Sequence, residues 1–202
     1  DVVDLYQVHA YDPYTPLEET LRTLDGFVQA GKIRYYGLSN FTGWQLTKAV
    51  LTARALGLRE PVTLQPQYSL IVREIEWEIV PAALGVGLGL LPWSPLGGGW
   101  LSGRWRKGGE DLTSRRSAMI PERYDLSLPE NQRKLDAADA LGQLADEAGM
   151  SLIHLAIAFV INHPAVTAAI IGPRTMEQLE SQLGAVDAVL DTGTPAVLTL
   201  LA

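Results

Sequence analysis

The chain has 202 residues, 47% of them hydrophobic, and a formal net charge of -7. That size and apolar content suffice for one domain with a sizeable core. The lack of cysteine excludes disulfides, thiolate metal sites and cysteine nucleophiles, and Lys and Arg scattered over an acidic chain exclude the basic surface that nucleic-acid backbones require.

Five stretches read as short apolar strands ending in polar or aromatic residues, at 5–9, 33–40, 62–68, 87–98 and 167–174. Helical patterns separate them. The first opens at Thr15-Pro16-Leu17-Glu18, a capping box with proline at the first helical position, and carries Leu17, Leu21, Leu24 and Val28 to Gly31. A second opens at residues 42–45 with Leu46, Val50 and Ala53 inward and stops at Gly57. Residues 74–84 form a third, with Ile75, Ile79 and Ala83 at helical spacing. A fourth, capped by residues 127–130, carries Leu135, Ala138, Leu141 and Ala145 to Gly149. The fifth runs from Ser151 and ends near Pro164, and the sixth is capped by residues 175–178 and closed by Gly184.

Periodicity vanishes between Trp100 and Leu128, a loop long enough to be functional or disordered. The tail, 186–202, has no clear stripe and is unassigned. The longest apolar stretch, 152–161, is too short to span a bilayer and is interrupted by His154. No signal peptide is visible, so a cytoplasmic protein without a membrane or nucleic-acid partner is expected. Alternation of strands and helices predicts an α/β fold, a partial parallel (β/α)8 barrel, with function at the carboxyl ends of its strands. The first residues already read as strand, and five strands fall short of eight, so the expectation is the later part of a longer barrel, with the N-terminal strands absent.

The strand ends carry the chemistry. His9 closes Leu5-Tyr6-Gln7-Val8, where a neutral imidazole can polarise a carbonyl or serve as a structural hydrogen-bonder. Ser39 and Asn40 follow the second strand and Gln65 ends the third; each alone is compatible with an ordinary turn or cap. Trp93-Ser94-Pro95-Leu96-Gly97-Gly98-Gly99 is more specific: an indole can stack on a planar ring, and the glycines leave backbone N–H groups open to a phosphate. Ile170-Ile171-Gly172-Pro173-Arg174-Thr175 sets an arginine at a helix N-terminus, which suits an anion. His154 and His163 read as structural, Trp44, Trp77, Trp100 and Trp105 as packing residues, and Arg115 and Arg116 as a solvated loop.

Taken in order, these motifs closely resemble the aldo-keto reductase family over residues 1 to about 185, and its bacterial reductases and potassium-channel β subunits more than its aldose reductases. The resemblance implies a barrel that binds NADPH in an extended pose, without a Rossmann fold, and reduces aldehydes or ketones. It implies that His9 is the histidine of a catalytic tetrad, that Ser39, Asn40 and Gln65 hold the nicotinamide carboxamide, and that Trp93 stacks on the nicotinamide. Ser94, Leu96 and Gly98 would line the pyrophosphate. Gly172, Arg174, Thr175, Gln178 and Gln182 would hold the 2′-phosphate and adenine, with Gln182 standing where asparagine is usual.

The family's tyrosine acid, its lysine partner and the supporting aspartate belong to earlier strands. Tyr11 follows His9 by two residues, but the sequence offers it no lysine. The expected protein is thus a single domain over 1–202 acting on a small carbonyl substrate, impaired by loss of these groups. Its open edges favour a homo-oligomer. Val3, Leu5, Leu38, Leu64, Leu90 and Ile170 are expected on the inner apolar face, which would otherwise meet water. The alternatives are a non-catalytic NADP(H)-binding module and a self-associating half-barrel that binds no cofactor.

Overall fold

The computed structural model describes residues 1–109, 114–188 and 190. It falls into two compact units. The first comprises Asp1–Gln67, Glu74–Trp93 and His163–Ile170; the second comprises Tyr68–Arg73, Ser94–Asn162 and the residues from Ile171 onward.

The first unit is an open parallel sheet with helices. Strands β1 (Val3–Val8), β2 (Ile33–Ser39), β3 (Thr63–Gln65) and β4 (Gly89–Leu90) pair in sequence order, all parallel. Helices α1 (Leu17–Gln29), α2 (Gly43–Ala55) and α3 (Ile79–Val86) connect them. The architecture is the expected one, an α/β fold whose sheet is not closed. The fifth expected strand enters as two parallel bridges, Leu90 with Val166 and Trp93 with Ile170.

Register explains the sheet's two faces. Val8, Leu38, Leu64 and Leu90 form one row. Leu38, Leu64 and Leu90 are 1%, 0% and 0% exposed, so they do not meet water as expected; Leu5 is half-buried, and Val3 and Ile170 are exposed at 49% and 40%. The buried stripes of α1 (Leu17, Leu21, Leu24) and α2 (Leu46, Ala49, Val50, Ala53) supply the apolar surface that excludes it. The next row, Gln7, Gly37, Thr63 and Gly89, is small and polar. Gln7 donates from Nε2 to Thr63 Oγ1 (3.1 Å) across Gly37, where a Cβ would lie 2.1 Å from Gln7 Oε1 and from Thr63 Oγ1. Glycine is required there for close approach, not for backbone freedom.

Caps differ in detail from the sequence reading. The N-cap of α1 is Pro16, without a side-chain bond, and Thr15 donates its hydroxyl instead to Asp12 (2.6 Å). At α2, Gln45 does reach back to accept from Thr42 N (2.9 Å), as a capping box requires. The third helix splits into a 3₁₀ turn, Glu74–Glu76, and α3.

The second unit is helical: α4 (Arg115–Met119), α5 (Pro129–Glu147), α6 (Leu152–Ile161) and α7 (Met176–Leu183). The segment expected as an aperiodic loop, 100–128, contributes α4, a 3₁₀ turn Pro121–Arg123 and much of the core. Trp100, Trp105 and Tyr124 stack with centroids 4.5–5.4 Å apart, packed with Leu135, Leu141 and Leu155. Arg106 bridges Asp139 (3.3 Å) and Asp146 (3.0 Å) on α5. Trp100 and Trp105 are packing residues, but Trp44 and Trp77 are not: they stand 56% and 87% exposed. Of the tail, Gly184–Asp187 forms a 3₁₀ turn; residues 189 and 191–202 lie outside the described residues. Among the described residues no single helix is long and apolar enough to cross a membrane.

Candidate functional site

In the first unit the strand ends converge through Asn40. Its backbone sits at φ 57, a left-handed conformation that asparagine tolerates better than most residues. That turn carries the side chain from the end of β2 towards the end of β1 and the indole beyond β4. Asn40 Nδ2 donates to His9 O (2.9 Å), and Asn40 Oδ1 accepts from Trp93 Nε1 (3.1 Å). Asn40 N also donates to Gln65 O (3.2 Å), and Ser39 donates its hydroxyl to the same carbonyl (2.8 Å). One residue thus ties together the ends of β1, β2 and β3 and the indole beyond β4. Trp93 is itself anchored by its N–H to Pro66 O (2.9 Å).

His9, Ser39, Asn40, Gln65 and Trp93 are therefore brought together within one unit. Ser39 is buried, Gln65 and Trp93 are half-buried, and His9 and Asn40 are exposed. Tyr11 packs edge-on against Phe41 (5.3 Å) and Trp44 (6.0 Å).

The remaining sequence-predicted residues lie in the second unit, in two groups. The first is the turn after Trp93. Ser94 takes a left-handed φ of 61, and Gly97, Gly98 and Gly99 have φ of 57, 72 and 105, which only glycine adopts without strain. The N–H groups expected to be free are in fact used inside the turn. Gly97 N donates to Ser94 O (2.8 Å), Gly98 N to Ser94 Oγ (2.8 Å) and Gly99 N to Leu96 O (2.9 Å). The glycines serve the turn's shape, while Ser94 and Leu96 supply its acceptors.

Sequence reasoning missed Tyr124, whose hydroxyl donates to Gly98 O (2.7 Å) and pins the turn. Burial raises the Tyr124 pKa, opposed by Arg116 and Arg123, so the phenol stays a donor at neutral pH. The aromatic density of an otherwise aperiodic segment, Trp100, Trp105 and Tyr124, was the available signal.

The second group surrounds the start of α7. Thr175 Oγ1 accepts from Gln178 N (3.2 Å), and Gln178 Oε1 accepts from Arg174 N (2.9 Å). This closes the first turn and leaves the Arg174 guanidinium exposed, with no ion pair among the described residues. Gly172 is exposed nearby in sequence. Gln182 is 8% exposed, and its Oε1 is buried without a hydrogen-bond partner among the described residues. An orphan of that kind costs about 1–3 kcal/mol unless a donor meets it. Among the described residues no group of carboxylates and histidines could hold a metal ion.

Comparison with known proteins identifies the family. The family described as "Aldo/keto reductase family" matches residues 1–196. The chain is 38% identical over 191 residues to the uncharacterized oxidoreductase YrpG of Bacillus subtilis, covering 95% of this chain and 56% of that one. It is 35% identical over 203 residues to a probable voltage-gated potassium channel subunit beta of Arabidopsis thaliana, covering 98% and 60%. It is 30% identical over 191 residues to the versiconal hemiacetal acetate reductase of Aspergillus parasiticus, covering 93% and 54%. The chain belongs to the aldo/keto reductase family, a family of reductase-type oxidoreductases that use nicotinamide cofactors. It spans between half and two thirds of the length of these relatives.

Proposed function

We propose that this chain carries the NADP(H)-binding part of a carbonyl reductase acting on small aldehydes or ketones. The observation that carries the reading is the Asn40 clasp, which fixes a histidine, a carboxamide and an indole at adjacent strand ends. The residues present fit such a cofactor. Ser39 and Asn40 retain hydrogen-bonding capacity for a planar carboxamide, Trp93 offers a ring held in orientation, and Arg174 offers an exposed cation beside a helix N-terminus. The orphaned Gln182 Oε1 accepts a donor such as an adenine amine. The resemblance assigns Ser39, Asn40, Gln65 and Trp93 to the nicotinamide, and Ser94, Leu96, Gly98, Gly172, Arg174, Thr175, Gln178 and Gln182 to the phosphates and adenine; the Gly98 N–H is engaged within its own turn, so that glycine would contribute shape, not a donor.

NADPH, when bound, supplies the hydride. The chain's own contribution is binding and orientation. Asn40 takes up the His9 carbonyl, which fixes the backbone from which the imidazole projects, and His9 orients the substrate oxygen. The alkoxide left by hydride transfer needs a proton, and a positioned acid is worth ~10²–10⁴-fold in rate. The resemblance assigns that acid to a tyrosine outside residues 1–202. Tyr11 does not replace it, because its ring is packed between Phe41 and Trp44. Residues 1–202 alone are therefore proposed to bind cofactor with at most residual turnover, in the cytoplasm and as a homo-oligomer through the open edge of β1.

The test is a titration of the chain with NADPH and NADH, followed by tryptophan emission. Saturable binding that is weaker for NADH supports the reading. No binding by either cofactor overturns it in favour of a self-associating half-barrel. Cofactor binding by a longer chain whose carbonyl reduction stays at background, with or without His9→Ala, favours a non-catalytic NADP(H)-binding module.

A further inference from the structure

Helix α7 buries little apolar surface, with Leu179 half-buried. Gln182 is its one buried residue, and that residue is polar; Met176 and Leu183 are 66% and 53% exposed. Its eight residues are also too few to persist as an isolated helix. Burial is therefore only part of what fixes it.

The structure supplies a polar tether from the neighbouring helix. His154 lies on α6, half-buried, in a helix whose buried residues are Leu152, Leu155, Ala156, Ile157, Ala158 and Val160. Its Nε2 lies 2.9 Å from Ser181 O. A carbonyl only accepts, so Nε2 carries the proton and donates. Ser181 O is among the last four carbonyls of α7, which have no partner four residues ahead within the helix. A side-chain donor there is a recognised way of closing a helix C-terminus.

Gly184 makes the approach possible. A Cβ at that position would lie 3.0 Å from His154 Nε2 and 3.2 Å from Cε1. The φ of Gly184 is -59, so alanine is allowed by the backbone and opposed only by the imidazole, which would have to give by a few tenths of an ångström.

We propose that His154 is a positioning residue: its imidazole holds the carboxyl end of α7 and thereby sets the other end of the same helix, where Arg174, Thr175 and Gln178 face ligand. The functional half of this proposal rests on the NADP(H) reading above. Sequence alone hid the role, because a histidine inside an apolar helix looks like a core residue.

Two measurements separate the two halves. Hydrogen exchange at the amides of residues 179–183, in the chain without cofactor, reads the tether itself. Loss of one net hydrogen bond corresponds to roughly three- to tenfold faster exchange in His154→Ala. His154→Gln, which keeps a donor of similar reach, should recover most of the protection. Gly184→Ala should accelerate exchange when His154 is present and change little when combined with His154→Ala. Unchanged exchange in both His154→Ala and Gly184→Ala overturns the tether. The second measurement is NADPH affinity, expected to weaken roughly three- to tenfold in His154→Ala as the docked population falls. Faster exchange with unaltered NADPH affinity overturns the functional half. A wild-type chain that binds no NADPH overturns the cofactor reading, and the exchange data then still decide the tether.

Discussion

Replacement of Asn40 gives the sharpest test of how the candidate site is built. Asn40→Ala removes the bonds to His9 O and Trp93 Nε1 and forces a β-carbon residue without a local hydrogen bond to hold φ 57. Both bonds are exposed, so each is worth about 0.5–1 kcal/mol, the low end for a net hydrogen bond. The left-handed backbone adds about 1 kcal/mol for alanine. The expected loss is therefore about 2–3 kcal/mol, since the three terms act on separate groups. Asn40→Gly gives up the bonds but not the backbone conformation, and should lose only about 1–2 kcal/mol.

Urea unfolding of the two variants, read by tryptophan emission, gives the difference directly. A cycle with Trp93→Phe, which keeps a ring but removes the indole N–H, isolates the Asn40–Trp93 bond at about 0.5–1 kcal/mol of coupling. The reasoning fails if Asn40→Ala lies within 0.5 kcal/mol of wild type (about the error of such a comparison), or if Gly and Ala at position 40 are equally destabilising. The first result would mean the clasp contributes nothing. The second would mean the backbone conformation is not a constraint.

Gly37→Ala should cost roughly 2–4 kcal/mol, because a methyl group cannot share space with the Gln7–Thr63 hydrogen bond; a midpoint unchanged in denaturant would show that those side chains simply swing away. Arg174→Glu should weaken NADPH binding about tenfold or more while leaving the weaker NADH binding nearly unchanged; equal losses for the two cofactors would place the 2′-phosphate elsewhere. Tyr36 titrates above the ordinary tyrosine range because burial, and then the charges of Asp25 and Glu60, disfavour the phenolate. Its folded pKa is raised, so its contribution to stability is complete below pH ~10 and is lost as pH climbs towards the folded value. Thermal melts between pH 8 and 11 should fall with pH, and less steeply in Tyr36→Phe; parallel slopes would contradict the assignment.

Much of the fold was readable locally. The stripes Leu17-Leu21-Leu24 and Leu46-Val50-Ala53 are buried as their spacing requires, because helical periodicity alone sets which side faces a core. Helix ends near Ser151, Thr175 and Gly149 followed from capping chemistry, which involves residues only a few positions apart. Trp93-Ser94 stood out for its indole and following glycines, while Ser39-Asn40 alone read as an ordinary turn or cap; the left-handed backbone at Asn40 and Ser94 is a finding of the structure.

What remained hidden depends on distant partners. Leu38, Leu64 and Leu90 share one buried row only because the strand register aligns them, and alternation within a single strand does not say which row the helices cover. The same pairing places Gln7, Gly37 and Thr63 together, three residues with nothing in common along the chain. Segment 100–128 has no period because its core residues, Trp100, Trp105 and Tyr124, pack with one another and with α5 and α6 instead of along one helix face. Whether a glycine N–H is free for a ligand or bonded within its own turn was likewise a matter of three-dimensional closure.

By itself, then, the sequence determined the alternation of strand and helix, the positions of the turns and the residue types at the strand ends, since these follow from near-neighbour sterics and periodicity. Tertiary structure alone decided that Asn40 joins His9 to Trp93, that Tyr124 pins Gly98 and that His154 grips Ser181. Each of those contacts links residues 26–53 positions apart, where no local preference reaches and only packing brings the groups together.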